Sequence, residues 1–291
     1  MADWIDAFLL REHLPGTYRR TIDTALVPLA DALARRVRLA DHLLVAGLCG
    51  AQGSGKSTAA AALVELLARE DLPAAALSID DFYLPRAERV LLAHRVHPLL
   101  ATRGVPGTHD VELAQATIDS LAGGEPVLLP AFDKARDDRR PRREWPAATG
   151  PLRVVILEGW CVGAQPQTDA QLAAPVNALE RDEDPQGTWR GYVNDQLAGP
   201  YRALFDRLSP LVLLQAPSFE VVQGWRGEQE HKLRARVLRE GGNTSGLMDD
   251  AAIARFIAHY ERVTRHILEE MPARADHLIR LASTRDAQWL R

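Results

Sequence analysis

The sequence predicts an α/β fold: a three-layer α/β/α arrangement with a mainly parallel sheet and a helical lid. Three observations lead there. Short apolar runs recur along the 291 residues and alternate with segments of helical period, the pattern of a parallel sheet covered on both faces. One such run, residues 43–48, leads into a glycine-rich turn that opens an Ala/Leu-rich segment. Further on, a Gly/Asn/Ser/Thr stretch at 241–246 follows a long Gln/Arg-rich segment and reads as the mobile tip of a lid spanning about 219–248.

In chain order, residues 17–38 place Ile22, Leu26, Leu29, Leu33 and Val37 at helical spacing, with Pro28 as a kink. Residues 1–42 are therefore expected to be a helical extension packed on the core, and 43–291 the main domain. The run 43–48 is a buried strand, 57–69 a helix and 74–79 a second buried strand. A helix follows at 111–121, capped by Thr108 or Asp110. Residues 127–129, 153–157, 211–214 and 277–281 complete the strands. Helices are expected at 188–207, 219–239 and 249–270. Residues 136–143 form a charge-dense loop, and 180–187 an acidic turn.

Composition narrows the function. Hydrophobic residues make up 46% and charged residues 25%, ordinary for a soluble globular protein. A net charge of −4 and a pI near 6.2 argue against a nucleic-acid partner, which calls for a basic face. No apolar run approaches the roughly 20 residues of a membrane span, and the acidic start Met1-Ala2-Asp3-Trp4 lacks the basic region of a signal peptide. A cytoplasmic enzyme is the expectation. Cys49 and Cys161 are too few for a disulfide framework and read as reduced, buried thiols. Their places beside two strands expected to be neighbours also raise the question of oxidant sensitivity. The chain writes Arg for nearly every cation; its three lysines are Lys56, Lys134 and Lys232.

Gly50-Ala51-Gln52-Gly53-Ser54-Gly55-Lys56-Ser57 fits G-x-x-x-x-G-K-S, followed by Thr58. It stands between a strand and a helix, the context in which glycines let successive N–H groups cradle phosphate. The helix turns its positive end to the anion. Lys56 reaches the β- and γ-phosphates, and Ser57 ligates Mg²⁺. The fold class is thus a P-loop NTPase fold with ATP and Mg²⁺ as cofactors. Val154-Val155-Ile156-Leu157-Glu158-Gly159 delivers one carboxylate to a strand's C-terminal end, where α/β ligands bind. Glu158 is the second expected metal residue.

Asp80-Asp81-Phe82-Tyr83 ends the strand 74–79. Two adjacent carboxylates cannot both be buried cheaply, so one should face the site and accept a proton from an attacking hydroxyl. D-x-F-Y at this point resembles the pantothenate kinase, uridine kinase and phosphoribulokinase group, which implies that Asp80 is the general base and Asp81 a neighbour that shapes the site or orients a metal-bound water. Further along come Arg103-Gly104, Gly107-Thr108-His109-Asp110, Pro130-Ala131-Phe132-Asp133-Lys134, Trp145-Pro146, Leu157-Glu158-Gly159-Trp160 and Trp225-Arg226. In order and spacing this series resembles the plant-type D-glycerate 3-kinase family with its yeast and bacterial relatives, over about residues 45–282. The chain departs from the family at 137–143 and 164–196.

The resemblance implies transfer of the ATP γ-phosphate to a hydroxyl of D-glycerate, giving 3-phosphoglycerate. Tyr83, Arg103, His109 and Lys134, with Asp81, are the expected acceptor-site residues, and Arg139 lies on the same loops. Arg226, with Arg234 and Arg236 on the same helix, is expected to close over the triphosphate; the plain alternative is a solvated helix with Glu228 and Glu230 as partners. Two further readings stay open: a kinase for another small hydroxylated acceptor (pantothenate, a nucleoside or a sugar phosphate), and an ATP-binding regulatory or assembly module.

Overall fold

The computed structural model describes residues 3–239 and 249–291, apart from the side chains of 3, 229 and 232–238. The lid-tip stretch 241–246 and the side chains of Arg234 and Arg236 therefore lie outside the described residues. Helices α1 (Asp3–Arg11), α2 (Tyr18–Thr21) and α3 (Val27–Leu39) open the chain. A π-helical turn, Ile22–Leu26, joins α2 to α3, and Pro28 sits in the first turn of α3 rather than kinking its interior. Next come β1 (Leu44–Gly50), α4 (Lys56–Ala68), β2 (Ala74–Ser78), α5 (Arg86–Arg95) and α6 (Val111–Ala122). Short strands β3 (Val127–Leu128), β4 (Phe132–Asp133), β5 (Asp138–Arg139) and β6 (Ala147–Ala148) precede β7 (Val154–Gly159). Helices α7 (Asp169–Leu172), α8 (Ala178–Glu183), α9 (Thr188–Ala198) and α10 (Pro200–Phe205) lead to β8 (Leu211–Gln215). Helices α11 (Phe219–Arg239) and α12 (Asp250–Arg274) and strands β9 (His277–Leu281) and β10 (Ala287–Trp289) finish it.

The main sheet runs β10-β9-β8-β1-β7-β2, parallel except for the β9–β10 pair. Strands β1 and β7 are buried along their whole length, as strands covered on both faces must be. Their side chains alternate between two cores. Leu44, Ala46, Leu48, Val154, Ile156, Val212 and Leu214 face a cluster shared with α1, α3 and α4. Val45, Cys49, Val155, Leu157, Leu211 and Leu213 face the other, shared with α6, α9, α10 and α12. The N-terminal helices thus bury Phe8, Leu26, Leu29 and Leu33 against Ala59, Leu63 and Leu67 of α4, each large apolar side chain contributing about 1.5–3 kcal/mol.

Three further sequence expectations change. Residues 127–128 pair antiparallel with β6 in a separate two-stranded ribbon rather than joining the main sheet. The helix expected over 188–207 breaks at Gly199-Pro200, because proline lacks the N–H that would continue it. The first half of the acidic turn expected over 180–187 is instead α8, and two of its four acids, Glu180 and Asp184, are buried. Glu180 is fully buried and takes both oxygens to Arg262 of α12, at 2.7 and 2.6 Å. Asp184 is buried with Arg190 at 3.1 Å and caps α9 through the Trp189 and Arg190 N–H groups. Buried pairs of this kind are costly to break from one side, about 3–5 kcal/mol; the first ties the segment 164–196 to α12 and the second braces it internally.

Candidate active site

Asp80, Glu158 and the phosphate loop meet because β2 and β1 both flank β7. Ser78 and Leu48 stand level with Glu158 in the register. Two residues past β2, the carboxylate of Asp80 therefore comes up beside the loop that leaves β1. In the loop, Gly53 (φ +76°) and Gly55 (φ +84°) adopt left-handed backbone, which glycine alone adopts without penalty. Gly55 is the N-cap of α4 and has no side-chain cap, so the first N–H groups of that helix are open to an anion. Both amide atoms of Gln52 and the Ser54 hydroxyl are buried without a protein partner.

Ser57 Oγ donates to Glu158 Oε1 at 2.8 Å. Glu158 is buried, and its Oε2 has no protein partner. A buried carboxylate oxygen left over beside a hydroxyl is a donor set that suits a hard cation. Among the described residues no group of three or more His, Cys, Asp or Glu side chains gathers for a metal, so any cation here would draw its remaining oxygens from a ligand or water.

Both Asp80 oxygens are engaged. Tyr83 Oη donates to Oδ1 at 2.8 Å and Lys134 Nζ to Oδ2 at 2.7 Å. Burial alone would raise the Asp80 carboxyl, but Lys134 and Lys56 outweigh it and hold the group well below the usual carboxylate range. Its neighbour Asp81 is raised, by burial first, with the Phe132 N–H partly offsetting this. Asp81 accepts that N–H at 3.1 Å and so ties β4 to the Asp80 turn.

Two cavities open on either side of the phosphate loop. One, of about 380 Å³, is lined by Gln52, Lys56, Ser57, Asp80, Tyr83, Arg103, Lys134, Trp160, Arg226, Glu230, Phe256 and Tyr260. The other, of about 350 Å³, is more apolar; Ser54, Gly55 and Thr58 form its floor, Tyr18 and Leu14 of the N-terminal extension one wall, and Thr284 to Ala287 another. Arg285 reaches from that second wall to the loop, donating to the Gly53 carbonyl at 2.8 Å and to Glu228 at 2.9 Å.

The expected site residues are not all brought together. Lys56, Ser57, Asp80, Tyr83, Arg103, Lys134 and Arg226 converge on the first cavity, and Glu158 sits just beneath through Ser57. Asp81 and His109 do not line it, which corrects the expectation that both meet the acceptor. Asp81 is turned to the β4 backbone. His109 is 5% exposed, stacked on the Tyr83 ring at 4.5 Å, with Nδ1 2.6 Å from Tyr201 Oη. Tyr83 stands between His109 and Asp80, so His109 supports the site from behind. Arg139 is likewise structural, donating to the Tyr83 carbonyl and Asp110. Arg226 lines the cavity but pairs with Glu230 at 2.9 Å, over the Phe256 ring; Glu230 is buried, not the solvated partner of the plain alternative. Sequence reasoning missed Phe256 and Tyr260, which α12 brings from far along the chain. Cys49 and Cys161 are free and buried. Burial pushes the Cys49 thiol up to about 12 and Cys161 well above its ordinary value, so neither has the thiolate character that oxidation requires.

Burial lowers the His109 pKa to about 4, with Asp80 opposing only in part. In the unfolded chain the ring titrates near 6.5. Between those values the unfolded state binds more protons, so this group's share of stability is present above pH 6.5 or so and is lost as pH falls towards 4. His109→Phe keeps a ring against Tyr83 and removes the titration. Its denaturant midpoint is expected to drop less than wild type's when pH is lowered from 7 to 5.

Fold and site define a P-loop kinase, an ATP-dependent phosphotransferase. No protein-family model matches the chain. The uncharacterized kinase mug58 of Schizosaccharomyces pombe is 35% identical over 225 residues, covering 74% of this chain and 78% of that protein. The chloroplastic D-glycerate 3-kinase of Arabidopsis thaliana is 29% identical over 247 residues, covering 80% of this chain and 50% of the plant protein, so the match spans half the plant enzyme's length. The solved structure of a D-glycerate 3-kinase from Cryptococcus neoformans superposes with a TM-score of 0.73 at 24% identity, covering 95% of this chain and all of that one, and shares its fold. The chain belongs to the kinase family of this fission-yeast protein, and its similarity extends to the plant D-glycerate 3-kinase. Among the described residues no helix is long and apolar enough to cross a membrane.

Proposed function

We propose that this protein transfers the γ-phosphate of ATP to a hydroxyl of D-glycerate, giving 3-phosphoglycerate and ADP. The observation that carries the reading is the Asp80 carboxylate, held by Lys134 and Tyr83 in the same cavity as Lys56. A hydrolase has no need of a cation-lined chamber for an acceptor facing its phosphate loop; a kinase with an anionic acceptor does. The activity named for the Arabidopsis relative supports the choice of acceptor.

In this reading the loop amides 53–57 and Lys56 hold the β- and γ-phosphates, with the adenosine half in the second cavity beside Tyr18 and Thr284. Ser57 and Glu158 would hold Mg²⁺, which would neutralise charge on the phosphate oxygens when bound. Arg103 and Lys134 meet the acceptor carboxylate. Asp80 accepts a hydrogen bond from the acceptor hydroxyl and then its proton, as the new O–P bond forms and the bond between the γ-phosphorus and the bridging oxygen breaks. Because Asp80 is ionised and a weak base, that proton moves late, once the forming ester has acidified the hydroxyl. Arg226 exchanges Glu230 for the transferring phosphate as the helix α11 closes.

A coupled assay of ADP release across D-glycerate, pantothenate, nucleosides and sugar phosphates tests this. Turnover with D-glycerate above the others is expected. Turnover with another acceptor and none with D-glycerate overturns the substrate. ADP release indifferent to every acceptor favours the regulatory or assembly module instead.

A further inference from the structure

We infer that Asp137 is a positioning residue for the acceptor: its carboxylate bridges Arg103, on the cavity wall, to Arg89, in the core, and so fixes the direction from which Arg103 meets an anion. The inference rests on the reading of Arg103 as an acceptor contact. Its support is geometric. Arg89 of α5 is 1% exposed and donates to the carbonyls of Leu84, Ala101 and Asp137, at 3.2, 2.8 and 2.7 Å. It also pairs with Asp137 Oδ2 at 2.9 Å. With so many partners it is immobile, and Asp137 inherits that immobility. The other oxygen, Oδ1, takes Arg103 Nη1.

The backbone is shaped for this bridge. Asp137 has φ +55°, a left-handed conformation uncommon outside glycine and tolerated by Asp and Asn. Both guanidiniums also lie over the Phe132 ring, at 6.0 and 5.6 Å. Two cations sharing one carboxylate leave one positive charge over. The side facing the cavity is that of Arg103, so an acceptor carboxylate completes the pairing there, and a guanidinium locked in plane favours two parallel bonds. The same loop carries Lys134, whose carbonyl accepts from Arg103 at 3.4 Å and whose ammonium holds Asp80. Asp137 thus aims the guanidinium of Arg103 into the cavity that Lys134 also lines.

The test is steady-state kinetics with D-glycerate and ATP varied separately. Asp137→Gly suits the left-handed backbone and removes the carboxylate, while Arg89 keeps its three carbonyls, so the fold is expected to persist in circular dichroism. Losing the charge-assisted bond should raise the acceptor KM about ten- to a hundredfold, with kcat and the KM for ATP little changed. Asp137→Asn retains one acceptor oxygen and should fall between. In an Arg103→Ala background, Asp137→Gly should add nothing further. Additive effects of the two changes, or equal rises in both KM values, overturn the inference while leaving the kinase reading intact. An Arg103→Ala variant with an unaltered acceptor KM overturns the acceptor role of Arg103, and the inference with it.

Discussion

Asp80→Asn is expected to cut acceptor-dependent ADP release by about 10²–10⁴-fold, the range that a positioned proton acceptor supplies. The substitution keeps the shape, and one oxygen for Tyr83 or Lys134, but removes the charge that holds the Lys134 ammonium at 2.7 Å and that receives the acceptor proton. Nucleotide binding is expected to persist, because Asp80 lies on the acceptor side of the loop and not on the cradle. The pH profile adds a second check. Since Lys134 and Lys56 hold Asp80 well below the usual carboxylate range despite its burial, the wild-type rate should not fall off on the acid side at the pH where an ordinary Asp protonates. ADP release unaffected by Asp80→Asn and independent of acceptor would refute the kinase assignment.

Lys56→Ala should be comparably damaging but in a different way. An amine fixed in the cavity stabilises charge developing on the transferring phosphoryl group, and removing one such preorganised donor typically costs about 10²–10³-fold in kcat. Unlike the Asp80 variant, it should also weaken ATP binding, because Lys56 contacts phosphate in the ground state. Lys56 is one of the two lysines that lower Asp80, so its loss should move the acid limb of the pH profile upward. A titration of fluorescent ATP analogue beside the kinetics separates the two variants: affinity falls for Lys56→Ala and holds for Asp80→Asn. Unchanged nucleotide affinity in Lys56→Ala would contradict the assigned role of the loop.

The three-layer architecture was legible because its signals are local. A buried parallel strand is a short apolar run, and the glycine pattern from Gly50 to Gly55 states its own backbone geometry. The placement of Asp80 and Glu158 at strand ends could be read for the same reason, since in a parallel sheet sequence position along a strand is also height above the loop. The behaviour of the individual polar side chains could not be read this way. His109 and Asp81 stood in the right motif, yet one is stacked behind Tyr83 and the other turned to the Phe132 backbone. Glu180 stood in an expected acidic turn and is buried in a helix against Arg262.

What the sequence by itself determined is a strand-loop-helix cradle for phosphate and a pair of strand-end carboxylates beside it. Only the tertiary structure decided which polar groups face the cavity, which brace it, and that Tyr260, Phe256 and Asp137 belong to its surroundings. The physical reason is that a motif fixes backbone over a few residues. The direction and charge state of a side chain depend on partners such as Arg89 and Asp137, or Asp80 and Lys134, which are 48 and 54 residues apart in the chain and meet only when the sheet has formed.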